Sequence, residues 1–241
     1  MTKVEVNPNV GVEVPSALKI AVLISNKGRG SNLNAIVEAS KRGKLPGVNL
    51  GLVVSDKDDA LGLNIARMHE IPEEVRPFYR KQYADDGAFA AGRDEYGTTL
   101  AFMLNREGVQ IAVMAGFMTV LPQVYLDVFK GVTINIHPGF VPDNPDVPIT
   151  YLDGITRIPW NKGLMAEKAV ENFVGKPRAF STIHIVTSDP DFGPVLERAW
   201  VEVGKDETTS QIYDRLKRAE HVALIAALNG HKLREHLKAK K

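Results

Sequence analysis

The chain contains no cysteine, which excludes three kinds of chemistry at once. None of its 241 residues can form a disulfide, hold zinc through a thiolate or act as a cysteine nucleophile. It also has little net charge, because 30 lysines and arginines oppose 29 aspartates and glutamates, for a formal charge of +1. This balance gives no electrostatic reason to expect nucleic acid or an anionic membrane as a partner.

Long apolar runs are also missing. No window approaches the roughly 20 apolar residues that cross a bilayer, and residues 1–17 lack the apolar centre of a secretory signal. These absences predict a cytoplasmic protein with no membrane partner. Hydrophobic residues make up 44% of the chain and charged residues 24%, a globular balance that excludes the disordered and fibrous classes.

Short apolar runs alternate with longer amphipathic stretches along the chain. Residues 19–24 form a β-branched run, and residues 31–42 then carry Leu33, Ile36 and Val37 at helical spacing. Further strands are predicted at 48–54, 71–78, 109–115, 132–137, 179–186 and 195–203, and helices at 60–69, 92–108, 122–129, 164–173 and 207–228. The alternation predicts an α/β fold with an open, mostly parallel twisted sheet and helices on both faces.

Three parts of the chain depart from this alternation. Residues 1–17 are predicted to be an N-terminal arm ahead of a single domain over 18–230. Residues 231–241 hold five lysines and arginines against one glutamate, and we interpret them as a basic tail at a solvated helix end. Residues 143–176 hold several prolines and glycines and the isolated Trp160, which indicates an insertion or long loop over one end of the sheet. We expect this insertion to shape or cover the substrate entrance.

The loop after the first predicted strand has the composition of a phosphate site. Gly28-Arg-Gly-Ser-Asn32 puts glycines and short polar side chains at the start of a helix, where backbone amides attract an anion. No Lys-Ser/Thr pair follows the second glycine, which excludes a Walker loop, and Leu33 takes the position of the third glycine in the dinucleotide fingerprint. We favour a site for one phosphate monoester; the alternative is a flexible turn that only caps the helix.

Two polar side chains lie at the end of the fifth predicted strand. Asn135 and His137 are two residues apart, so both project from the same face of that strand. An amide and an imidazolium side by side can stabilise the oxyanion that forms when a carbonyl is attacked. The alternative is a structural polar pair at a strand terminus.

A second polar loop, residues 187–194, joins the last two predicted strands. Its Asp189 and Asp191 could hold a protonated histidine near an active centre, although Asp-Pro and Gly-Pro are also ordinary turn formers. A metal site at the nearby His184 is another alternative, but no histidine pair has ligand spacing, and we predict no metal. Glu220 lies inside the last predicted helix, where a carboxylate is usually solvated.

Six short motifs occur along the chain in one order: Gly28–Leu33, Val54–Lys57 with Ala60–Leu63, Ala115–Met118, Asn135–Pro138, Asp191–Pro194 and Glu220-His221. In that order they resemble the folate-dependent formyltransferase family of purine synthesis, over residues 18–142 and 179–228. The resemblance implies a Rossmann-like formyltransferase fold. It also implies that a formyl group passes from 10-formyltetrahydrofolate, as co-substrate, to the amine of glycinamide ribonucleotide, without a metal.

The resemblance further implies roles for individual residues. Asn135, His137 and Asp191 match the catalytic trio, in which the first two stabilise a tetrahedral oxyanion and Asp191 assists proton transfer. The positions implied to bind the ribonucleotide are Gly30, Ser31, Asn32 and Glu220. The positions implied to bind the folate are Arg93, Met118, Thr119, Val120, Leu121, Asn135, Thr187, Ser188, Asp189, Pro190 and Asp191.

The chain departs from the family's pattern at three places, and the last of them bears on which acceptor is used. Thr119 replaces a usual arginine, Gly139–Pro142 replaces a usual Ser-Leu-Leu-Pro, and the family's helix with histidine and arginine is not recognisable in residues 143–176. One alternative therefore keeps the chemistry with another acceptor, as in a formyltetrahydrofolate hydrolase or a sugar-nucleotide N-formyltransferase. A second alternative is a nucleotide-binding oxidoreductase or a non-catalytic relative. The expected partners are small molecules, and the chain is expected to be a monomer or a homodimer.

Overall fold

The computed structural model describes residues 17–26 and 28–240 of the chain. The predicted arm over residues 1–17 therefore lies outside the described residues, Ala17 excepted. One sheet contains the strands β1 (Leu18–Ile24), β2 (Val48–Ser55), β3 (Glu73–Val75), β4 (Ile111–Met114), β5 (Val132–His137), β6 (Arg178–Ile185) and β7 (Val195–Glu202). The helices are α1 (Ser31–Lys41), α2 (Gly62–Met68), α3 (Asp86–Arg106), α4 (Gln123–Val128), α5 (Ala166–Glu171), α6 (Thr209–Asn229) and α7 (His231–Ala239). Among the described residues, no helix combines the length and the apolar character needed to cross a membrane.

The strands follow the order β3-β2-β1-β4-β5-β6-β7 across the sheet. Neighbouring strands from β3 to β5 are parallel, whereas β6 and β7 are antiparallel to their neighbours. The predicted α/β fold with an open, mostly parallel sheet is thus confirmed. The order reverses between β1 and β4, and in such sheets ligands bind beyond the carboxyl ends of the strands near this point.

The apolar run of β1 is explained by helices on both faces of the sheet. Ile20 and Val22 pack with residues of α1 and α6, whereas Ala21 and Leu23 pack with residues of α3 on the other face. Successive side chains of a strand point to opposite faces, and all four of these are fully buried. The stretch that is covered on both faces, Ile20–Ile24, is apolar at every position, whereas the only charged residue of β1, Lys19, lies at its half-buried start.

Two elements differ from the predicted ones by more than two residues at one end. Helix α3 begins at Asp86 rather than at residue 92, because the side chain of Asp85 caps it and accepts a hydrogen bond from the Ala88 amide at 2.8 Å. An aspartate directly before the first turn is the signal that locates such a start. Glycine in the turn that follows is a poor helix former, which makes the start of the helix hard to predict. Strand β3 covers only Glu73–Val75, a part of the predicted 71–78.

The predicted insertion, residues 143–176, is attached to the domain by an apolar cluster. Its Tyr151 and Phe173 are buried together with Ile212 and Leu216 of α6. The Tyr151 hydroxyl also donates a hydrogen bond to the backbone carbonyl of Arg178 at 2.6 Å. These contacts hold the insertion against the last long helix.

The basic tail requires a correction. Residues 231–239 are not a solvated helix end: they form the separate helix α7, whose Leu233 and Leu237 are buried in the core cluster that contains β1 and α6. The many charges of this segment suggested a solvated face, but its two leucines are four residues apart and share one side of a helix. The packed domain therefore continues through α7.

We expect Leu233→Ala to lower the free energy of unfolding by about 2–5 kcal/mol, because Leu233 is fully buried and its loss leaves a cavity. Urea unfolding followed by circular dichroism measures this. Leu152→Ala is the control, since Leu152 is 96% exposed and its truncation should change the stability by less than about 0.5 kcal/mol. Equal effects of the two substitutions would contradict the packed position of α7.

Candidate active site

A cleft of about 280 Å³ opens beyond the carboxyl ends of β4 and β5. Four segments that are distant in sequence contribute most of its lining: residues 116–121, 135–138, 163–166 and 186–191. Every residue implied to bind the folate lies in this lining except one. Among them, Met118 and Val120 keep exposed apolar side chains, which a flat ring system can cover.

The exception is Arg93, which lies on α3 and does not line the cleft. Its implied contact with the folate tail therefore has no support from the cleft. The hydroxyl of Thr119, at the position where the family usually has arginine, donates to the buried carboxylate of Asp56 at 2.6 Å. The Thr119 side chain is therefore engaged with Asp56, and being uncharged it does not replace the contact of the usual arginine.

Asn135, His137 and Asp191 meet at one wall of the cleft. His137 Nδ1 lies 3.3 Å from Asp191 Oδ1, and Asn135 Nδ2 donates to the same oxygen at 3.2 Å. The two residues of β5 therefore face the same side, as their spacing predicts. A single carboxylate oxygen contacts both.

The position of Asp191 is held from several directions. Its backbone has a φ of 51°, in the left-handed region that few residues other than glycine adopt. The Gly163 amide donates to Asp191 Oδ2 at 2.8 Å, and the Trp160 indole Nε1 donates to the Asp191 backbone carbonyl at 2.8 Å. Burial alone would raise the pKa of Asp191, but the hydrogen bond and charge of His137 and the Gly163 amide outweigh burial, so that pKa lies below its usual value.

The other nitrogen of the His137 ring faces the insertion. His137 Nε2 lies 2.8 Å from the backbone carbonyl oxygen of Trp160. This approach requires glycine at position 139, because a Cβ there would overlap the Trp160 carbonyl oxygen and lie 2.7 Å from His137 Nε2. Both ring nitrogens of His137 therefore face an acceptor oxygen, Nε2 at 2.8 Å and Nδ1 at 3.3 Å.

His184, considered above as a metal ligand, instead contacts Asn135. Asn135 Nδ2 lies 3.4 Å from His184 Nε2, and His184 Nδ1 lies 2.9 Å from the backbone carbonyl oxygen of Ile185. Burial lowers the pKa of His184, although the bond to Ile185 opposes this, so the ring is neutral and its Nε2 accepts from Asn135. Among residues 17–26 and 28–240, no group of three or more histidine, cysteine, aspartate or glutamate side chains could hold a metal ion.

The three residues implied to hold a phosphate lie where β1 leads into α1. Gly30 precedes the helix with a φ of 77°, and a Cβ there would lie 2.7 Å from Ile65 Cδ1, so the position suits only glycine. Among the residues that the structure describes, no side chain caps the start of α1, and Ser31 is exposed beside the backbone amides of its first turn. Asn32 is buried and points the other way, donating from Nδ2 to Glu220 Oε1 at 3.0 Å.

Glu220 is not the solvated helix residue that its position suggests, because it is 1% exposed. Besides Asn32, it accepts hydrogen bonds from Ser181 Oγ and from Lys217 Nζ, both at 2.6 Å. Burial alone would raise the pKa of Glu220, but the charge of Lys217 and the three hydrogen bonds outweigh burial, so that pKa lies below its usual value. Ser181 Oγ also lies 3.1 Å from the His137 carbonyl oxygen, which connects this group to the trio.

Several of these contacts are not predicted from the sequence. Lys217 had a signal, since it lies three residues before Glu220 and such pairs are neighbours on a helix. Ser181 and Trp160 had none, because their partners are 39 and 31 residues away respectively along the chain. Contacts of that separation depend on the tertiary structure.

Comparison with known proteins agrees with this geometry. Residues 18–228 match the family described as formyl transferase. The chain belongs to this family. The predicted family and its Rossmann-like formyltransferase fold are thus confirmed, and the activity class is that of a transferase.

Relatives with this fold are known in sequence and in structure. The phosphoribosylglycinamide formyltransferase of Escherichia coli is 31% identical over 205 residues, which cover 85% of this chain and 82% of that protein. The crystal structure of glycinamide ribonucleotide transformylase 1 from Symbiobacterium toebii aligns with a TM-score of 0.67 and 28% identity, over 88% of this chain and 85% of that one. The trifunctional purine biosynthetic protein adenosine-3 of Chironomus tentans is 30% identical over 87% of this chain, but this chain spans only 13% of its length.

We expect Lys217→Met to lower the free energy of unfolding at pH 7 by about 3–5 kcal/mol, because it leaves the Glu220 carboxylate buried without its cation. The pKa of Glu220 in the folded chain lies below its usual 4.5, so its stabilising effect is present above pH 4.5 and is lost as the pH falls through the folded value. The difference in the free energy of unfolding between the wild-type protein and Lys217→Met should therefore become smaller as the pH falls. Urea unfolding across this pH range measures it.

Arg42→Met is the matched control, because Arg42 pairs with Glu38 on the exposed side of α1. An exposed pair of this kind contributes less than about 1 kcal/mol. If Lys217→Met destabilised the protein no more than Arg42→Met does, the buried ion pair would not have the energetic weight assigned to it.

Proposed function

We propose that the chain is a phosphoribosylglycinamide formyltransferase, which transfers a formyl group from 10-formyltetrahydrofolate to the amine of glycinamide ribonucleotide in purine biosynthesis. The observation that carries this proposal is the shared contact of Asn135 and His137 with one carboxylate oxygen of Asp191 in the wall of a cleft. The names of the Escherichia coli and Haemophilus influenzae relatives support the same reaction. We further propose a cytoplasmic enzyme that works as a monomer or a homodimer on small molecules alone.

The cleft suits the folate as formyl donor. Apolar Met118 and Val120 cover a pterin ring, while the backbone of residues 187–191 supplies polar groups to its edge. Because the Thr119 hydroxyl is bonded to Asp56, contacts at that position come from the backbone. The donor's reactive formyl carbon then lies against Asn135 and His137.

The start of α1 and the buried Glu220 suit the acceptor. The free amides near Gly30 and Ser31 attract the ribonucleotide phosphate through the positive end of the helix. Asn32 connects this phosphate site to Glu220 at 3.0 Å. Glu220 stays charged because its pKa lies below its usual value, but it is 1% exposed, so it orients the acceptor through Asn32 and not by direct contact.

The reaction follows from these positions. The acceptor amine attacks the formyl carbon, a new C–N bond forms, and the formyl oxygen becomes an oxyanion. Because His137 Nε2 lies against the Trp160 carbonyl, the ring donates to this oxygen from Nδ1–H, beside Asn135 Nδ2. One such donor is worth about 3–4 kcal/mol of the barrier. Asp191 keeps His137 charged and passes a proton from the attacking amine to N10 of the folate, a contribution of about 10²–10⁴-fold. The bond from N10 to the formyl carbon then breaks, which releases tetrahydrofolate.

An absorbance assay of tetrahydrofolate release tests the proposal. Release that requires glycinamide ribonucleotide is the expected result. Release from 10-formyltetrahydrofolate without any acceptor would indicate the hydrolase instead, and release that requires an amino sugar nucleotide would indicate that acceptor. The absence of release in all three mixtures would overturn the proposed chemistry.

Asn135→Ala should lower kcat by about 10²–10³-fold, because it removes one donor to the oxyanion. The measurement is the initial rate of the same assay at saturating substrates. Asn49→Ala is the matched control, since Asn49 is also on a strand of this sheet but is exposed on β2. Equal rates for the two variants would contradict the role assigned to Asn135.

Met165→Ala should raise KM for the folate several-fold and leave KM for the ribonucleotide nearly unchanged, because Met165 belongs to the part of the insertion that lines the cleft. Truncation of this half-exposed methionine removes about 1 kcal/mol of apolar contact, which corresponds to a factor of about five. Leu152→Ala again provides the control, as Leu152 is an exposed residue of the same insertion outside the cleft. Unchanged Michaelis constants in Met165→Ala would count against the insertion as part of the entrance.

A further inference from the structure

The 160–163 segment of the insertion contacts both ionisable members of the catalytic trio. Trp160 approaches them through two different groups: its carbonyl oxygen lies 2.8 Å from His137 Nε2, and its indole nitrogen donates to the Asp191 carbonyl at 2.8 Å. Gly163 adds a third contact by donating from its amide to Asp191 Oδ2 at 2.8 Å. One short segment thus makes one contact with the His137 ring and two contacts with Asp191, one to its backbone and one to its side chain.

The segment is itself held firmly. Asn161 is 7% exposed and donates from Nδ2 to the carbonyls of Pro138 and Ala169, at 2.9 and 2.8 Å. Asn172 Nδ2 donates to Asn161 Oδ1 at 2.9 Å. The bond to Pro138 attaches the segment directly behind the end of β5, so the Trp160 carbonyl and the His137 ring are anchored to the same piece of backbone.

The contact at His137 Nε2 determines where the ring carries its protons. A carbonyl oxygen is only an acceptor, so the nitrogen that faces it at 2.8 Å must hold a hydrogen. The bond made by one ring nitrogen sets the tautomer of a neutral histidine. Both ring nitrogens face an acceptor, but the contact at Nε2 is the shorter, 2.8 Å against 3.3 Å at Nδ1, so in a ring with one hydrogen we place that hydrogen on Nε2.

We propose that Trp160 is a positioning residue for formyl transfer: its carbonyl fixes His137 as the Nε2–H tautomer, and its indole N–H holds Asp191 against His137 Nδ1. The proposal rests on the proposed function for its effect on rate, but its statement about the tautomer does not. The titratable groups around the His137 ring are Asp191 and His184. The nearest cation of the segment, Lys162, is paired with Asp189 at 2.6 Å.

Trp160→Phe tests this role, because it keeps an aromatic ring near Phe192 and removes the N–H donor together with part of the indole. We expect kcat to fall by about 10- to 100-fold, the effect of misplacing a catalytic pair by about an ångström, while both Michaelis constants stay within about twofold. Michaelis constants that stay unchanged while kcat falls separate this positioning role from a general loss of packing at the cleft.

Trp200→Phe is the matched control, since the chain has two tryptophans and Trp200 lies half-exposed on β7 against Arg178. It should match the wild-type protein in rate and in both Michaelis constants. If Trp160→Phe, shown to be folded by circular dichroism, also matched the wild type, the proposed role would be wrong.

The tautomer is measured separately, by ¹⁵N NMR of the imidazole nitrogens in the wild-type protein without substrates. The neutral His137 ring should give the pattern of the Nε2–H tautomer, assigned by its loss in His137→Gln. The pattern of the Nδ1–H tautomer would overturn the proposal whether or not any variant folds. A protein with the expected tautomer but no formyl transfer would disprove the proposed function and leave the tautomer assignment intact.

Discussion

One carboxylate oxygen, Oδ1 of Asp191, is the point at which the parts of this site meet. It lies 3.3 Å from His137 Nδ1 and 3.2 Å from Asn135 Nδ2, so the charged donor and the neutral donor share one anchor. A carboxylate in a partly buried position must be compensated, and here the compensation comes from the groups that the reaction needs. The same contact therefore stabilises the loop of Asp191 and orients the two side chains that we propose as donors to the oxyanion.

The groups of this site come from different elements of the fold. Strand β5 presents Asn135 and His137 at the carboxyl end of the parallel sheet, while the loop between β6 and β7 returns Asp191 to the same place. Ser181 on β6 then connects His137 to Glu220 on α6, and Glu220 connects to Asn32 at the start of α1. A chain of hydrogen bonds thus runs from the proposed formyl-transfer site to the proposed phosphate site.

The parts of the molecule that could be predicted are those determined locally. An unbroken apolar run predicted β1, and the two-residue spacing of Asn135 and His137 placed both side chains on one face. The segment from Trp160 to Gly163 could not be predicted, because its contacts cross 23 to 31 residues and require Gly139 to let two backbones approach. The charges of α7 likewise concealed Leu233, whose burial depends on a core that only the folded sheet creates.

The most direct test of the account is a double-mutant cycle on kcat with His137→Ala, Asp191→Asn and the variant that carries both. If Asp191 acts through His137, the double variant should be about as slow as the slower single variant, because residues that work as a unit are strongly non-additive. Rate losses that simply multiply would mean that the two residues act independently. That result would contradict the shared contact as the basis of the chemistry.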